Sequence, residues 1–179
     1  MITGASRGFG HRAAARFAEK LPDGSFLLLA ARDSTGLAGL KSTIEAERPN
    51  VRVRTWSTDL ADLDEAKIDA SLRDVFTDCG LVPKDFEQAI LVHNAASLGD
   101  VSRVTSKQSS VTDLDAYWKL NLTSMVVLNS VFWKKFGASD VRQRVAINIS
   151  SICAKQPLKS WAIYCAGKDY LLNKPPFSW

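Results

Sequence analysis

Four short strand-like runs, separated by amphipathic stretches of helical spacing, restrict this chain to one class of fold. Ser25 to Ala31 (SFLLLAA), Ala89 to Asn94 (AILVHN) and Val145 to Ile149 (VAINI) are apolar, and Val51 to Ser57 (VRVRTWS) alternates. Between them, His11 to Lys20, Leu37 to Glu47 and Asp64 to Phe76 repeat apolar residues at helical intervals, and Asp113 to Phe136 predicts one long helix. Strands joined by crossover helices pair in parallel, because each helix returns the chain to the same end of the sheet. The expected class is therefore α/β, a Rossmann-like doubly wound parallel sheet, as a single domain over residues 1–179. No internal repeat, low-complexity segment or linker divides it.

Composition narrows the function classes. With 46% hydrophobic and 23% charged residues among 179, the chain can bury a core and is not a disordered tail. No apolar stretch is long enough to span a bilayer, and the N-terminus lacks a basic start, an apolar run and a small-residue cleavage site, so the expected compartment is the cytosol. Cys79, Cys153 and Cys165 show no CxxC or Cys/His ligand spacing, which predicts neither a disulfide framework nor a metal site. The formal charge of +4 comes from Lys and Arg scattered among acids, without the stripe that nucleic-acid binding needs.

The chemistry begins at Thr3-Gly4-Ala5-Ser6-Arg7-Gly8-Phe9-Gly10, a glycine-rich turn leading into a helix. Glycines let backbone N–H groups approach a pyrophosphate, and the helix presents its positive end to the anion, so Gly4, Ser6, Arg7, Gly8, Phe9 and Gly10 are candidate cofactor residues. After the strand at Ser25 to Ala31 stand Arg32 and Asp33. At this place an acid takes a ribose 2′-hydroxyl and a base takes a 2′-phosphate. Arg32, supported by Arg7, predicts NADPH over NADH, while Asp33 pulls slightly the other way. Asp59-Leu60 and Asn94-Ala95-Ala96 follow further strands, at the edge where open α/β sheets bind ligands.

Ser150-Ser151 ends the last strand, and Tyr164 and Lys168 share one face of the helix that follows. An ammonium near a phenol favours the phenolate and turns a tyrosine into a usable proton donor. In carbonyl reduction the developing alkoxide needs a proton and a hydrogen bond; Tyr164 can supply the first and Ser151 the second.

Taken together, Thr-Gly-x-x-x-Gly-x-Gly, Asn94-Ala95-Ala96, a helix-borne Asn121, Ser151 and Tyr164-x-x-x-Lys168 resemble, in order and spacing, the short-chain dehydrogenase/reductase family. The resemblance implies that Ser151, Tyr164 and Lys168 are catalytic, that Asn121 supports a proton-relay water, and that Lys168 also holds the nicotinamide ribose. One departure is His93-Asn94-Ala95-Ala96, where the family usually has Asn-Asn-Ala-Gly.

Within the family, Thr3 to Gly10, Ser97 to Ser102, Tyr117 to Met125 and Asn148 to Lys168 are similar to pterin-reducing members. That likeness implies NADPH-dependent reduction of a pterin diketo side chain in the last step toward tetrahydrobiopterin. Ser151 and Tyr164 would contact the substrate, and Leu98, Cys153, Gln156 and Trp161 become pocket candidates. It also implies a homodimer formed through the helix at Asp113 to Phe136 and the one beginning near Tyr164.

Only Met1 and Ile2 precede Thr3, where a strand of about five or six residues is expected. Asn173-Lys174-Pro175-Pro176 stops the helix of Tyr164 and Lys168, since proline lacks the N–H and clashes with the preceding turn. The expectation is a partial domain, its first strand and C-terminal strands missing: a fragment, a splice form or an incomplete gene model. The alternatives are a non-catalytic chain retaining at most cofactor or partner binding, and a reductase of other dicarbonyls.

Overall fold

The computed structural model describes residues 1–62, 64–102, 110–137 and 141–173. Lys174 to Pro176 of the expected helix stop lie outside them. Five strands form one parallel sheet: β1 (Ile2–Thr3), β2 (Phe26–Ala31), β3 (Arg52–Ser57), β4 (Gln88–His93) and β5 (Gln143–Asn148), in the order β3-β2-β1-β4-β5. Helices α1 (Gly8–Lys20), α2 (Ser34–Glu47), α3 (Glu65–Asp78), α4 (Val111–Trp118), α5 (Ser124–Gly137) and α6 (Ala162–Asn173) connect or follow them. The fold is the α/β, Rossmann-like parallel sheet expected from the alternating pattern, and among the described residues no strand follows β5.

The expected absence of a first strand needs correction. A two-residue strand stands in the middle of the sheet, Ile2 opposite both Leu29 and Val92 and Thr3 opposite Ala30. Ile2 has a strand partner on each side, Thr3 has one in β2, and both are almost fully buried. The N-terminal ends of β2 and β4 have no strand between them, and a groove of about 410 Å³ opens there, bordered by Ser25, Phe26, Leu27, Gln88 and Ile90.

Period-two alternation along β2 divides the core. Leu28 and Ala30 face a cluster with Ile68, Leu72 and Phe76 of α3 and Leu128, Phe132 and Phe136 of α5. Leu27, Leu29 and Ala31 face the opposite layer, where Ala14 and Ala18 of α1 meet Leu37, Leu40 and Ile44 of α2. Phe76 and Phe136 meet edge to face, with centroids 6.0 Å apart, tying α3 to α5.

The single long helix expected over Asp113 to Phe136 is interrupted. A π-helical turn, Lys119–Thr123, separates α4 from α5. Its cause is local: the Asn121 amide inserts into the backbone ladder and donates to the Tyr117 carbonyl at 2.9 Å. α2, α3 and α4 begin at side-chain caps, Asp33, Asp64 and Ser110. α1 does not: its cap residue, Arg7, makes no side-chain hydrogen bond to the first turn.

Candidate active site

That uncapped end of α1 opens into a groove of about 590 Å³ at the carboxyl edge of the sheet. Its walls contain Gly4, Ser6, Arg7, Gly8, Phe9, Gly10, Arg32, Asp33, Asp59, Leu60 and Asn94, the expected cofactor residues other than Lys168, together with Ala95 and Ala96. The first helical donor is His11 N–H, to the Arg7 carbonyl at 3.3 Å, so the N–H groups of the preceding turn have no helical acceptor. No acid stands in the first turn of α1. A free, positive helix end beside a bare backbone suits a phosphate group.

The turn is this tight because its glycines leave no room. A Cβ on Gly10 would lie 2.3 Å from the Gly4 carbonyl oxygen, and one on Gly4 would lie 2.9 Å from Ala95 Cα. Asn94 bridges the gap by donating from Nδ2 to the Thr3 and Gly4 carbonyls at 3.0 and 3.1 Å. Thr3 Oγ1 in turn accepts from the Asn94 and Ala95 amides, each at 3.0 Å. Thr3 was not among the expected site residues; its signal was its place at the last turn before Gly4.

The two residues at the end of β2 have separate tasks. Asp33 caps α2, accepting from Gly36 N–H at 3.0 Å, so one carboxylate oxygen is committed to the helix. Arg32 projects into the groove with its side chain 69% exposed and lies 3.5 Å from Asp59, a loose surface pair.

A second cleft of about 580 Å³ adjoins the groove; Arg32, Asp59 and Leu120 line both. Tyr164 and Trp161 stand on its wall with perpendicular rings 5.7 Å apart, opposite Leu98, Gly99 and Tyr117. Of the pocket candidates, Leu98 and Trp161 line this cleft, whereas buried Cys153 and exposed Gln156 are not among its wall residues.

Of the expected catalytic residues only Tyr164 lines the cleft; Asn121, Ser151 and Lys168 are not among its wall residues. Asn121 is buried, and its Oδ1 accepts from Ser97 N–H at 2.9 Å. Ser151 precedes a short 3₁₀ turn, its hydroxyl accepting from Cys153 N–H at 3.3 Å. Lys168 departs from the expected pairing with the Tyr164 hydroxyl: Nζ donates to the Ile149 carbonyl at 3.0 Å and lies 5.6 Å from the centre of the Tyr164 ring. The reason is burial, which lowers the lysine's pKa and makes a carbonyl acceptor necessary. Ser150 stitches the same junction, its hydroxyl donating to the Lys168 carbonyl at 3.3 Å.

Tyr117 is the cleft residue that sequence reasoning missed. The available signal was its position one turn before Asn121, which places both on one helix face. At the end of β4, buried His93 bonds through Nε2 to Asn129 Oδ1 at 2.9 Å. Burial pushes its pKa down to about 4, so the imidazole is neutral. Among the described residues, no group of His, Cys, Asp and Glu could hold a metal ion, and no helix is long and apolar enough to cross a membrane.

Against known proteins, the model of the short-chain dehydrogenase family matches residues 1–172. The chain is 39% identical over 170 residues to sepiapterin reductase from Meriones unguiculatus, covering 94% of this chain and 63% of that protein. Among solved structures, the bulky-bulky ketone specific alcohol dehydrogenase from Comamonas testosteroni is 28% identical with a TM-score of 0.75, covering 96% of this chain and 61% of that one. A metagenomic short-chain oxidoreductase in complex with NADP is 27% identical with a TM-score of 0.75, covering 93% and 67%. This chain thus spans about 63% of the length of the curated relative it matches. Since the family match runs through β1, the groove, the cleft and α6 without a break, the chain belongs to the short-chain dehydrogenase family.

Proposed function

We propose that groove and cleft form the site of an NADPH-dependent carbonyl reductase acting on a pterin side chain, such as sepiapterin or 6-pyruvoyl-tetrahydropterin, in tetrahydrobiopterin synthesis. The observation that carries this reading is continuity: a ligand held at the α1 terminus opens directly onto the wall bearing Tyr164. The likeness to sepiapterin reductase and to a neighbour bound to NADP supports the substrate and cofactor. A flat heterocycle also suits aromatic walls such as Tyr117 and Trp161.

In this reading Gly4, Ser6, Gly8, Phe9 and Gly10 face the pyrophosphate, Arg7 and Arg32 hold the 2′-phosphate, and Asp33, Asp59, Leu60 and Asn94 complete the groove. NADPH, when bound, supplies the hydride. Tyr164 donates the proton to the alkoxide that develops, and Ser151 gives it a hydrogen bond. Lys168 stabilises the negative charge left on the phenol and holds the nicotinamide ribose. Asn121 supports a relay water. A cytosolic homodimer joined through α4–α5 and α6 belongs to the same reading.

A second reading, a non-catalytic cofactor-binding chain, is favoured by the two-residue β1, which leaves the N-terminal parts of β2 and β4 without a strand on their facing edges. The test is to purify the chain, titrate NADPH by nicotinamide fluorescence, and follow NADPH oxidation with sepiapterin. Binding with pterin-dependent oxidation supports the first reading, and binding without it the second. Oxidation by other dicarbonyls alone would refute the pterin assignment, and no NADPH binding would refute both readings.

A further inference from the structure

Tyr117 lies between two glycines from different parts of the fold. On one side is Gly99, in the loop after β4, at φ +68°, where a Cβ would meet the ring at 2.8 Å. On the other is Gly167 of α6, placed between Tyr164 and Lys168, where a Cβ would lie 3.3 Å from the Tyr117 hydroxyl oxygen. The ring is buried and meets the Trp118 ring edge to face at 5.2 Å. Its main chain is held as well, because Asn121 donates to the Tyr117 carbonyl and accepts from Ser97 N–H of the same loop.

We propose that Tyr117 is a positioning residue, a wedge that sets the separation between loop 95–102 and α6 and thereby the place of Tyr164 in the cleft. The proposal rests on the reading of Tyr164 as proton donor. A side chain in contact on both sides passes a displacement of one wall to the other, since packed interiors have little free volume to absorb it. Burial pushes the Tyr117 phenol up to about 12, with the neighbouring Tyr164 and Cys165 adding to the rise, so the wedge stays neutral at ordinary pH.

The test is a double-mutant cycle in the full chain, with Gly167→Ala, Tyr117→Phe and both together. The new methyl of Gly167→Ala meets the hydroxyl and moves α6, so kcat for carbonyl reduction falls about tenfold while the Kd for NADPH holds. Tyr117→Phe loosens the wedge and lowers kcat about threefold. The double variant turns over faster than Gly167→Ala alone, because the atom that the methyl meets is gone. Hydrogen exchange of 162–173 gives a readout independent of turnover. Helix propensity alone predicts slower exchange in Gly167→Ala, because alanine favours the helix; the wedge predicts faster exchange, restored in the double variant. Multiplicative kcat losses, or slower exchange in Gly167→Ala, would overturn the proposal. A wild-type chain that binds NADPH but reduces no carbonyl would sink the functional reading instead, and the exchange data would then decide the wedge.

Discussion

Lys168 commits its ammonium to the Ile149 carbonyl, 3.0 Å away, just past the end of β5. The residue is 7% exposed, and burial lowers its pKa. The unfolded chain therefore holds that proton more tightly, and a charged Lys168 costs folding stability at neutral pH. A buried charge kept at such a cost fits the role proposed for Lys168.

The first prediction follows from that cost. Lys168→Met should leave the melting temperature unchanged or raise it, while carbonyl reduction falls by about a hundredfold or more and NADPH binding weakens. Thermal melting and turnover, measured on one preparation, check it. A large loss of melting temperature would make Lys168 a structural residue.

Tyr164→Phe removes one oxygen from the cleft wall. Turnover should drop by about 10²–10⁴, as for loss of a general acid, with the NADPH dissociation constant nearly unchanged. Near-normal turnover with sepiapterin would assign the proton to another group.

Arg32 is bound only loosely to Asp59, so it is available to a 2′-phosphate. Arg32→Ala should weaken NADPH by roughly ten- to a hundredfold, the worth of a charge-assisted hydrogen bond, and leave NADH unaffected. Fluorescence titration of both cofactors measures the ratio. Equal losses for the two would place the arginine elsewhere.

His93 makes stability depend on pH. Its folded pKa is about 4 against 6.5 for the unfolded group, so the unfolded chain binds more protons between those values. The site's contribution is complete above pH 6.5 and is lost as pH falls toward 4, on the order of 3 kcal/mol in all. The buried Met1 amine, pushed down to about 5, acts in the same direction, so the comparison must be with His93→Asn. That variant should lose less melting temperature between pH 7 and pH 5. Parallel curves would remove His93 as the cause.

The N-terminal parts of β2 and β4 have no strand between their facing edges, so residues 1–179 by themselves should be of marginal stability. Apolar side chains are worth about 1.5–3 kcal/mol each when buried, against a net stability of only about 5–15 kcal/mol. A low melting temperature that rises with NADPH is expected, since a ligand at a hundred times its Kd adds about 2.7 kcal/mol. A high, cooperative melt indifferent to NADPH would contradict this.

The positions of β2 to β5 and of α1 to α3 were legible from the chain because periodicity is a property of near neighbours: Leu27 to Ala31 alternate between two core layers wherever the strand lies. The glycine turn was legible for the same reason, since Gly4 and Gly10 answer a local crowding with the backbone. Sequence spacing could also place Tyr164 and Lys168 on one helix face. It could not say that the lysine would turn to Ile149, that Asp33 would cap α2 while Arg32 stayed free, or that Asn121 would break its helix toward Ser97. Nor could it show Tyr117 caught between Gly99 and Gly167, which lie on opposite sides of it in the chain. Those outcomes are contests among distant partners for the same donor, acceptor or volume, and only the folded arrangement brings the competitors within reach.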